Sequence, residues 1–370
     1  MKTKYEPDVL GSYSEKDVVF LLRDISHIEI ERDTTEREHL IQSGTHYAEM
    51  LPVEFQPGEQ YMELFHTTLK EYAQRIAIAT GVVAEQIVQN RGLDHLVLVS
   101  LARAGTPIGI LIKRYIQHVY NVTVPHYSIS IVRDRGIDET AIDYIFEHHE
   151  QANIQFIDGW TGKGAITREL VDACNDYNAK RQNHIDPDLA VLADPGHCVE
   201  VYGTRDDFLI PSACLNSTVS GLVSRTVLNP AFIEEGDFHG AKYYKEFAEQ
   251  DVSNYYVDEV SSYFDVVKEE IEVTLRDILQ SDRTPTWRGM QSVDVIKEKY
   301  DIAKTNYIKP GVGETTRVLL RRVPWKILVN PKYDNDLTHI RLLAAERNVP
   351  IEVYEDMEYS CCGLIKDVMK

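Results

Sequence analysis

The central part of the sequence alternates between short apolar runs and segments with helical periodicity. The apolar runs lie at 96–101, 126–132, 154–158 and 189–194, and the helical segments between them at 108–120, 138–149 and 164–180. Helices of this length between strands favour parallel pairing, with the helices covering the sheet. The sequence therefore predicts an α/β fold with a mainly parallel sheet and helices on both faces.

A second, shorter alternation follows the segment SDRTPTWRG at 281–289. It has a helix, a strand at 325–330, a helix at 338–348 and a strand at 351–355. Pro and Gly in the segment before it are typical of a boundary. We expect a first domain at 1–280, a linker at 281–289 and a small α/β/α domain at 290–370.

The two parts differ in charge. The chain has 370 residues and a net charge of −20, but residues 285–370 hold 14 Lys and Arg against 12 Asp and Glu, a net charge of +2. The first 284 residues therefore carry −22. A surface so acidic repels nucleic acid, so a polyanion that binds the first domain must meet a local basic pocket.

One loop of the first domain has the composition of a phosphate site. In IQFIDGWTGKGAITREL an apolar strand ends at Asp158, and the chain then passes three glycines, Thr161 and Lys163 into a helix whose first turn includes Thr167. Glycine lets backbone N–H groups approach an anion, and the helix amino terminus attracts negative charge. We expect a phosphate here, with Asp158 accepting hydrogen bonds from sugar hydroxyls. The alternative is a turn that only connects strand to helix.

The same loop resembles the diphosphoribosyl-binding loop of type I phosphoribosyltransferases, and neighbouring loops support the resemblance. SLARAGTPIGI resembles the pyrophosphate loop of that family, SISIVRDRGID the start of its mobile loop, and IQSGTHYAEM (41–50) its amino-terminal hood. The resemblance implies a type I phosphoribosyltransferase-like sheet. It departs from the family where Gly159 replaces the second of two adjacent acids.

This resemblance implies a set of site residues and ligands. The catalytic residues would be Arg133, Arg135 and Asp158, with Mg²⁺ carried by phosphoribosyl diphosphate and an unknown base as acceptor. The residues that would bind the sugar diphosphate are Arg103, Ala104, Gly105, Asp158, Thr161, Gly162, Lys163, Gly164 and Ala165.

The C-terminal segment GVGETTRVLLRR (311–322) resembles the G-x-N-E-T-x-K stretch of the Pelota and kink-turn-binding ribosomal protein family. In that family a helix amino terminus meets a bent RNA backbone. The resemblance implies a Pelota-like domain that binds structured RNA, and the residues that match by type are Gly311, Gly313, Glu314, Thr315 and Arg317. An ordinary helix cap with Arg321 and Arg322 as a solvated face is the alternative.

The pairing of the two domains resembles a group of proteins that occur with tellurite-resistance and stress genes and are labelled in places as StiP-type cysteine proteases. For that group the resemblance implies a phosphoribosyltransferase that makes a nucleotide or nucleoside-like metabolite in a stress response. Two alternatives remain open: an RNA-binding regulator that senses phosphoribosyl diphosphate, and a cysteine hydrolase.

The five cysteines bear on the hydrolase alternative and on localisation. Their number is odd and no CxxC pair occurs, which indicates reduced thiols in a cytoplasmic protein. His197 precedes Cys198, but adjacent residues of an extended segment point in opposite directions, which disfavours a nucleophile pair. We expect buried structural cysteines, no protein-held metal and no membrane segment; a homodimer is left open.

Overall fold

The computed structural model describes residues 6–54 and 56–365. Within them the strands are β1 (Val19–Phe20), β2 (Arg23–Asp24), β3 (Glu31–Arg32), β4 (Leu51–Pro52), β5 (Leu96–Leu101), β6 (His126–Ile129), β7 (Ile131–Val132), β8 (Gly136–Ile137), β9 (Asn153–Trp160), β10 (Leu189–Ala193), β11 (Val201–Thr204), β12 (Gly240–Ala241), β13 (Ile308–Pro310), β14 (Pro324–Val329), β15 (Ile351–Val353) and β16 (Cys361–Ile365).

The α-helices of the same residues are α1 (Thr34–Gln42), α2 (Glu59–Arg91), α3 (Gly105–Tyr120), α4 (Glu139–His148), α5 (Ala165–Lys180), α6 (Ser253–Ser261), α7 (Lys268–Gln280), α8 (Arg288–Lys299), α9 (Val312–Arg321) and α10 (Thr338–Glu346). Short 3₁₀ turns add Tyr47–Glu49, Pro211–Ala213, Ser217–Val219, Lys245–Gln250, Thr305–Tyr307 and Pro331–Leu337.

The main sheet has the strand order β1-β6-β5-β9-β10-β11, and every neighbouring pair is parallel. All six residues of β5 are buried, and they alternate between the two faces. Leu98 packs into a core with α2 and α3, whereas Val99 packs into a second core with α4 and α5. The predicted α/β fold with a parallel, helix-flanked sheet is therefore confirmed; its assignment to the phosphoribosyltransferase type stays a prediction.

The C-terminal part is a small α/β unit, as predicted. Its sheet has the order β13-β16-β14-β15, with β14 and β15 parallel and β16 antiparallel to both of its neighbours. The central strand β16 was missed in the sequence, because its two cysteines and a glycine gave no alternating pattern. The predicted domain ends at 1–5 and 366–370 lie outside the described residues.

The C-terminal unit is packed firmly onto the first domain. Val312 and Leu319 of α9 and Ile340 of α10 belong to the same hydrophobic core as the long helix α2. The hydroxyl of Tyr61 on α2 also donates to the carbonyl of Leu320 at 3.1 Å. Sharing a core fixes the relative position of the two sheets.

Close backbone packing where α3 begins yields a testable prediction. A Cβ added to Gly105 would lie 2.4 Å from the carbonyl oxygen of Ile157 on β9. Because backbone must shift to admit it, Gly105→Ala should lower the free energy of unfolding by about 2 kcal/mol in urea titrations. Gly162→Ala is the matched control, since nothing lies within 4 Å of its added Cβ. Equal stability of the two variants would contradict this packing.

Candidate ligand-binding cleft between the two domains

The carboxyl ends of neighbouring parallel strands bring the predicted loops of the first domain together. Strand β5 lies between β6 and β9, with Ser100 paired to Ser128 on one side and to Ile157 on the other. The loop after β5 therefore faces the carboxyl-terminal part of β9, which contains Asp158. A Cβ on Gly159 would sit 3.3 Å from the carbonyl oxygen of Ala104, which shows how closely the two loops approach.

A cavity of about 490 Å³ opens at this edge of the sheet, and α9 of the C-terminal domain forms its opposite wall. Its basic lining comes from both domains and outnumbers two carboxyl groups, Asp158 and Glu314. The lining residues are Leu101, Ala102, Arg103, Ala104, Ile131, Asp158, Ile166, Asn216, Arg225, Lys309, Glu314, Arg317, Val318 and Arg322. We call this cavity the interdomain cleft.

Arg225 lies at the wall of the cleft formed by the first domain. Its guanidinium donates to the carbonyl of Tyr47 at 2.6 Å and to that of Met50 at 2.7 Å, and it stacks 5.2 Å from the Tyr47 ring. Its Nε is buried without a hydrogen-bond partner among the described residues. Burial lowers the pKa of Arg225 to about 10, and the charges of nearby arginines add to this. The site therefore holds a cation whose charge is incompletely compensated.

The positive charge of Arg103 is partly neutralised by groups of the first domain. Its guanidinium donates to the carbonyl of Val223 at 3.1 Å and lies 3.7 Å from the carboxylate of Glu54. Glu54 is fixed in turn by the backbone N–H of Ser217 at 2.9 Å. The segment that holds Glu54 and Tyr47 thus orients two of the arginines of the cleft.

Asp158 lies half-buried near the carboxyl end of β9, which continues two residues past the predicted strand end to Trp160. Burial raises its pKa to about 7, although its oxygen accepts a 2.7 Å hydrogen bond from the N–H of Gly159, which favours the ionised form. Near neutral pH this carboxyl can therefore accept or donate a hydrogen bond within the cleft.

The C-terminal wall carries a cluster of like charges. Burial lowers the pKa of Lys309, and so do the neighbouring Arg322 and Arg317, while Glu314 opposes them. Burial would raise the pKa of Glu314, but the charges of Arg317 and Lys309 outweigh it and lower that pKa. Glu314 pairs with Arg317 at 2.9 Å, and the Arg317 guanidinium stacks 5.4 Å from the Trp160 ring. One carboxylate thus partly neutralises a larger positive charge.

The predicted phosphate loop at 161–165 faces the C-terminal domain, not the cleft. Thr161 donates to Asp194 at 2.6 Å, and the carbonyl of Gly162 accepts from the Tyr359 hydroxyl at 3.0 Å. Lys163 donates to the carbonyls of Thr305 and Ile308 at 2.9 and 3.2 Å, and burial with neighbouring cations lowers its pKa to about 8. Gly164 lies under the Trp287 ring, and Ala165 begins α5.

The predicted mobile loop is held by the hood segment. The backbone N–H of Arg133 donates to the Tyr47 hydroxyl at 2.9 Å, and Arg135 pairs with Glu49 at 3.1 Å. Arg103, Ala104 and Asp158 are the predicted diphosphate residues that line the cleft, whereas Gly105 packs against β9.

The predicted RNA motif is divided between cleft and interface. Glu314 and Arg317 line the cleft, but Gly313 packs against Ala213 and the side chain of Thr315 is fully buried. Gly311, at φ +90°, leads into α9, whose first N–H meets a carboxylate of the first domain. The Arg321 side chain lies outside the described part of the chain.

The cleft contains residues that the sequence analysis missed. Arg225 and Asn216 come from an irregular segment after β11, and Lys309 is the middle residue of β13, a strand that was not predicted. No motif marks them. In the sequence, only the positive charges of Arg225 and Lys309 point to a binding role, and the surrounding segments have an ordinary composition.

The five cysteines are all buried, as expected. Burial raises the pKa of the Cys198 thiol to about 12, and its backbone N–H donates to Asp194 at 2.8 Å. The imidazole of His197 contacts Arg205 and lies 3.8 Å from Glu358, and burial lowers its pKa to about 4. The Cys198 thiol interacts with the Thr161 side chain, so the side chains of His197 and Cys198 interact with different groups.

The described residues contain neither a metal-binding cluster nor a helix able to span a membrane. Across 6–54 and 56–365, no group of three or more His, Cys, Asp and Glu side chains could hold a metal ion. In the same ranges no helix combines the length and the apolar character needed to cross a bilayer. Magnesium, cytoplasmic localisation and the homodimer stay predictions.

Comparisons with known proteins place the chain in a family. Residues 11–261 match the model described as "Tellurite-like stress resistance cysteine protease StiP". The chain belongs to the StiP family. Residues 287–367 match the model described as "PELOTA RNA binding domain", so the stress-resistance and Pelota predictions are confirmed at the level of family.

A curated relative covers almost the whole chain. Cysteine protease StiP of Acinetobacter baylyi is 35% identical over 371 residues, which is 97% of this chain and 95% of that protein. A solved Clostridium novyi structure, named as a tagatose-6-phosphate ketose/aldose isomerase, is 10% identical with a TM-score of 0.25 and covers 71% of this chain and 60% of that one. A likeness that low bears on neither fold nor function.

These comparisons overturn the predicted phosphoribosyltransferase activity. The family and the relative are both named as a cysteine protease, which is a different enzyme class from a pentosyl transferase. The prediction was wrong because it judged the loop at 161–165 by its composition. In the structure Tyr359 of the C-terminal domain and Trp287 of the segment before it cover that loop.

The raised pKa of Asp158 predicts a pH effect with a definite sign. The pKa of Asp158 is 3.8 in the unfolded chain and about 7 in the folded chain. At a pH between these two values the folded chain binds a proton that the unfolded chain has released, so the free energy of unfolding falls as the pH rises through this range. Asp158→Asn should therefore melt at a higher temperature than wild type at pH 8, with the advantage shrinking towards pH 5, in thermal scans.

Asp282→Asn provides the control of opposite sign. The backbone N–H of Thr284 lowers the pKa of Asp282, so removal of its charge should not stabilise the protein at pH 8. A melting advantage of Asp158→Asn that stayed constant from pH 5 to pH 8 would contradict the burial of this carboxyl.

Proposed function

We propose that this StiP-family chain binds single-stranded RNA in the interdomain cleft as part of its stress-resistance role. The observation that carries the proposal is the convergence of five basic side chains from two domains on one cavity: Arg103, Arg225, Lys309, Arg317 and Arg322. Basic side chains that meet in a concave site favour a phosphate-bearing ligand. The match of residues 287–367 to an RNA-binding domain supports RNA over other polyanions.

The five basic residues of the cleft stand out because the chain as a whole is acidic. At a net charge of −20, the protein as a whole repels RNA, so attraction must come from a confined positive site. Lys309 is crowded by Arg322 and Arg317, which lower its pKa together with burial. A bound phosphate would relieve this repulsion, and that relief contributes to binding.

The size of the cleft favours a single strand. About 490 Å³ is the volume of an ordinary small-ligand pocket and accommodates one or two nucleotides, not a duplex. Flat side chains lie beside the basic ones, since Tyr47 stacks on Arg225 and Trp160 stacks on Arg317. Unpaired bases stack on aromatic rings and on Arg guanidinium planes, and the guanidinium-bearing residues Arg225 and Arg317 line the cleft.

Variants of the cleft test this proposal. In fluorescence anisotropy with a labelled single-stranded RNA decamer, Lys309→Gln and Arg322→Gln should each weaken binding several-fold. Each should also reduce the slope of log affinity against log salt by about 0.7, because each removes one phosphate contact. Arg276→Gln, an exposed position on α7 outside the cleft, is the matched control and should bind like wild type. Equal losses in all three variants would exclude the cleft as the RNA site.

Thiol-dependent peptide hydrolysis is the second candidate, favoured by the name of the relative that is 35% identical. It would require opening of the structure around a buried thiol, because only the thiolate is a nucleophile and burial disfavours it at Cys198. Casein digestion that is lost in Cys198→Ala or Cys214→Ala and after alkylation would support this candidate. Unchanged RNA affinity in those variants would separate the two functions.

A further inference from the structure

The amino terminus of α9 is occupied by a carboxylate of the first domain. Asp207 lies after β11, and its Oδ1 accepts a hydrogen bond from the N–H of Val312 at 2.9 Å. Its Oδ2 accepts from the N–H of Ser360, just before β16, at 2.8 Å. The side chain therefore bridges the start of a helix and the start of a strand, both in the C-terminal domain.

Burial makes this contact different from a surface ion pair. Asp207 is 8% exposed, and Val312 and Ser360 are fully buried. The Ser360 hydroxyl also donates to the backbone carbonyl of Asp207 at 2.6 Å. A buried carboxylate without a paired cation is costly unless backbone N–H groups solvate it, and the start of a helix provides such groups together with a favourable dipole.

Free helix amino termini bind phosphate through the same backbone groups. The helix in question is α9, which carries the two cleft residues Glu314 and Arg317. An RNA phosphate at its amino terminus would need the space that the Asp207 carboxylate fills. Space there is tight, because a Cβ on Gly311 would lie 3.3 Å from Asp207 and one on Gly313 would lie 3.1 Å from Ala213.

We propose that Asp207 takes the place of an RNA phosphate at the start of α9, which removes this helix end from RNA recognition and leaves the cleft face of the helix as its RNA-binding surface. The chain would then bind single strands and not distinguish bent from straight duplex RNA. The consequence for RNA rests on the proposed function, whereas the Asp207 contact itself can be tested without RNA.

The first experiment uses chemical rescue of the full chain. Asp207→Ala should lower the melting temperature by roughly 5 °C, since two buried N–H groups lose their acceptor. Sodium formate at about 0.1 M should restore at least half of that loss, because a small carboxylate can fill the vacated position and bind only the folded chain. Sodium chloride at equal ionic strength should not.

Asp206→Ala is the matched control. It removes the same charge from the neighbouring residue, but Asp206 is exposed and pairs with Arg75 on α2 at 2.9 Å. This variant should show no greater response to formate than to chloride. If Asp207→Ala melts like Asp206→Ala, or if formate and chloride act equally on it, the proposal is wrong.

A folding defect does not remove the test. If Asp207→Ala does not fold in chloride, its refolding yield from urea is compared in formate and in chloride. A higher yield in formate supports the proposal, and equal yields overturn it.

The second experiment compares RNA shapes with the wild-type chain. A kink-turn RNA and a straight duplex of equal length should be retained equally weakly in a gel shift, below the single-stranded decamer. Strong preference for the kinked RNA would overturn the exclusion of the helix end. If no RNA binds while formate rescue succeeds, the proposed function fails and the Asp207 contact stands.

Discussion

The hydrophobic core shared by α2 and the C-terminal domain is the constraint on which the rest of the structure depends. Val312, Leu319 and Ile340 are buried in the same cluster as Phe65 and Leu69 of α2. Burial of several large aliphatic side chains contributes on the order of 1.5–3 kcal/mol for each of them. The C-terminal domain is thus a fixed wall of the interdomain cleft, not an independent tail.

Fixing that wall determines the chemistry of the cleft. Lys309, Arg317 and Arg322 approach Arg103 and Arg225 because the core sets the distance between the two sheets. Polar contacts then refine the interface: Lys163 donates to carbonyls of the C-terminal domain, and Tyr359 donates to Gly162. Several like charges are held together at a cost that the hydrophobic contacts offset, and an anion would reduce that cost.

The sequence predicted those helices and strands whose formation depends on residues close to each other in the chain. The buried strands β5, β9 and β10 and the helices α3, α4 and α5 follow from hydrophobic periodicity, although β9 continues to Trp160, two residues past the expected end at Asp158. Arg225 could not be predicted as a cleft residue, since its position depends on Tyr47, 178 residues away. Strand β16 could not be predicted either, because its position depends on pairing with β13 and β14 and not on its own pattern.

The structure covers two predicted anion sites in the same way. The Gly- and Thr-rich loop at 161–165 and the GVGETT segment both have the composition of anion sites, and composition does not show what covers a loop. Trp287 and Tyr359 cover the first, and Asp207 caps the second. In both cases the interface between the domains takes the backbone groups that a ligand was expected to use.

Photo-crosslinking tests most directly whether the cleft between the domains is the ligand site. A single-stranded RNA that carries 4-thiouridine is irradiated with the full chain, and cross-linked peptides are identified by mass spectrometry. We expect cross-links on both walls, in the loop at 101–105 or near Arg225 and in the segment 309–322. Cross-links confined to the outer surface of the C-terminal domain, such as the region of Lys332, would contradict it.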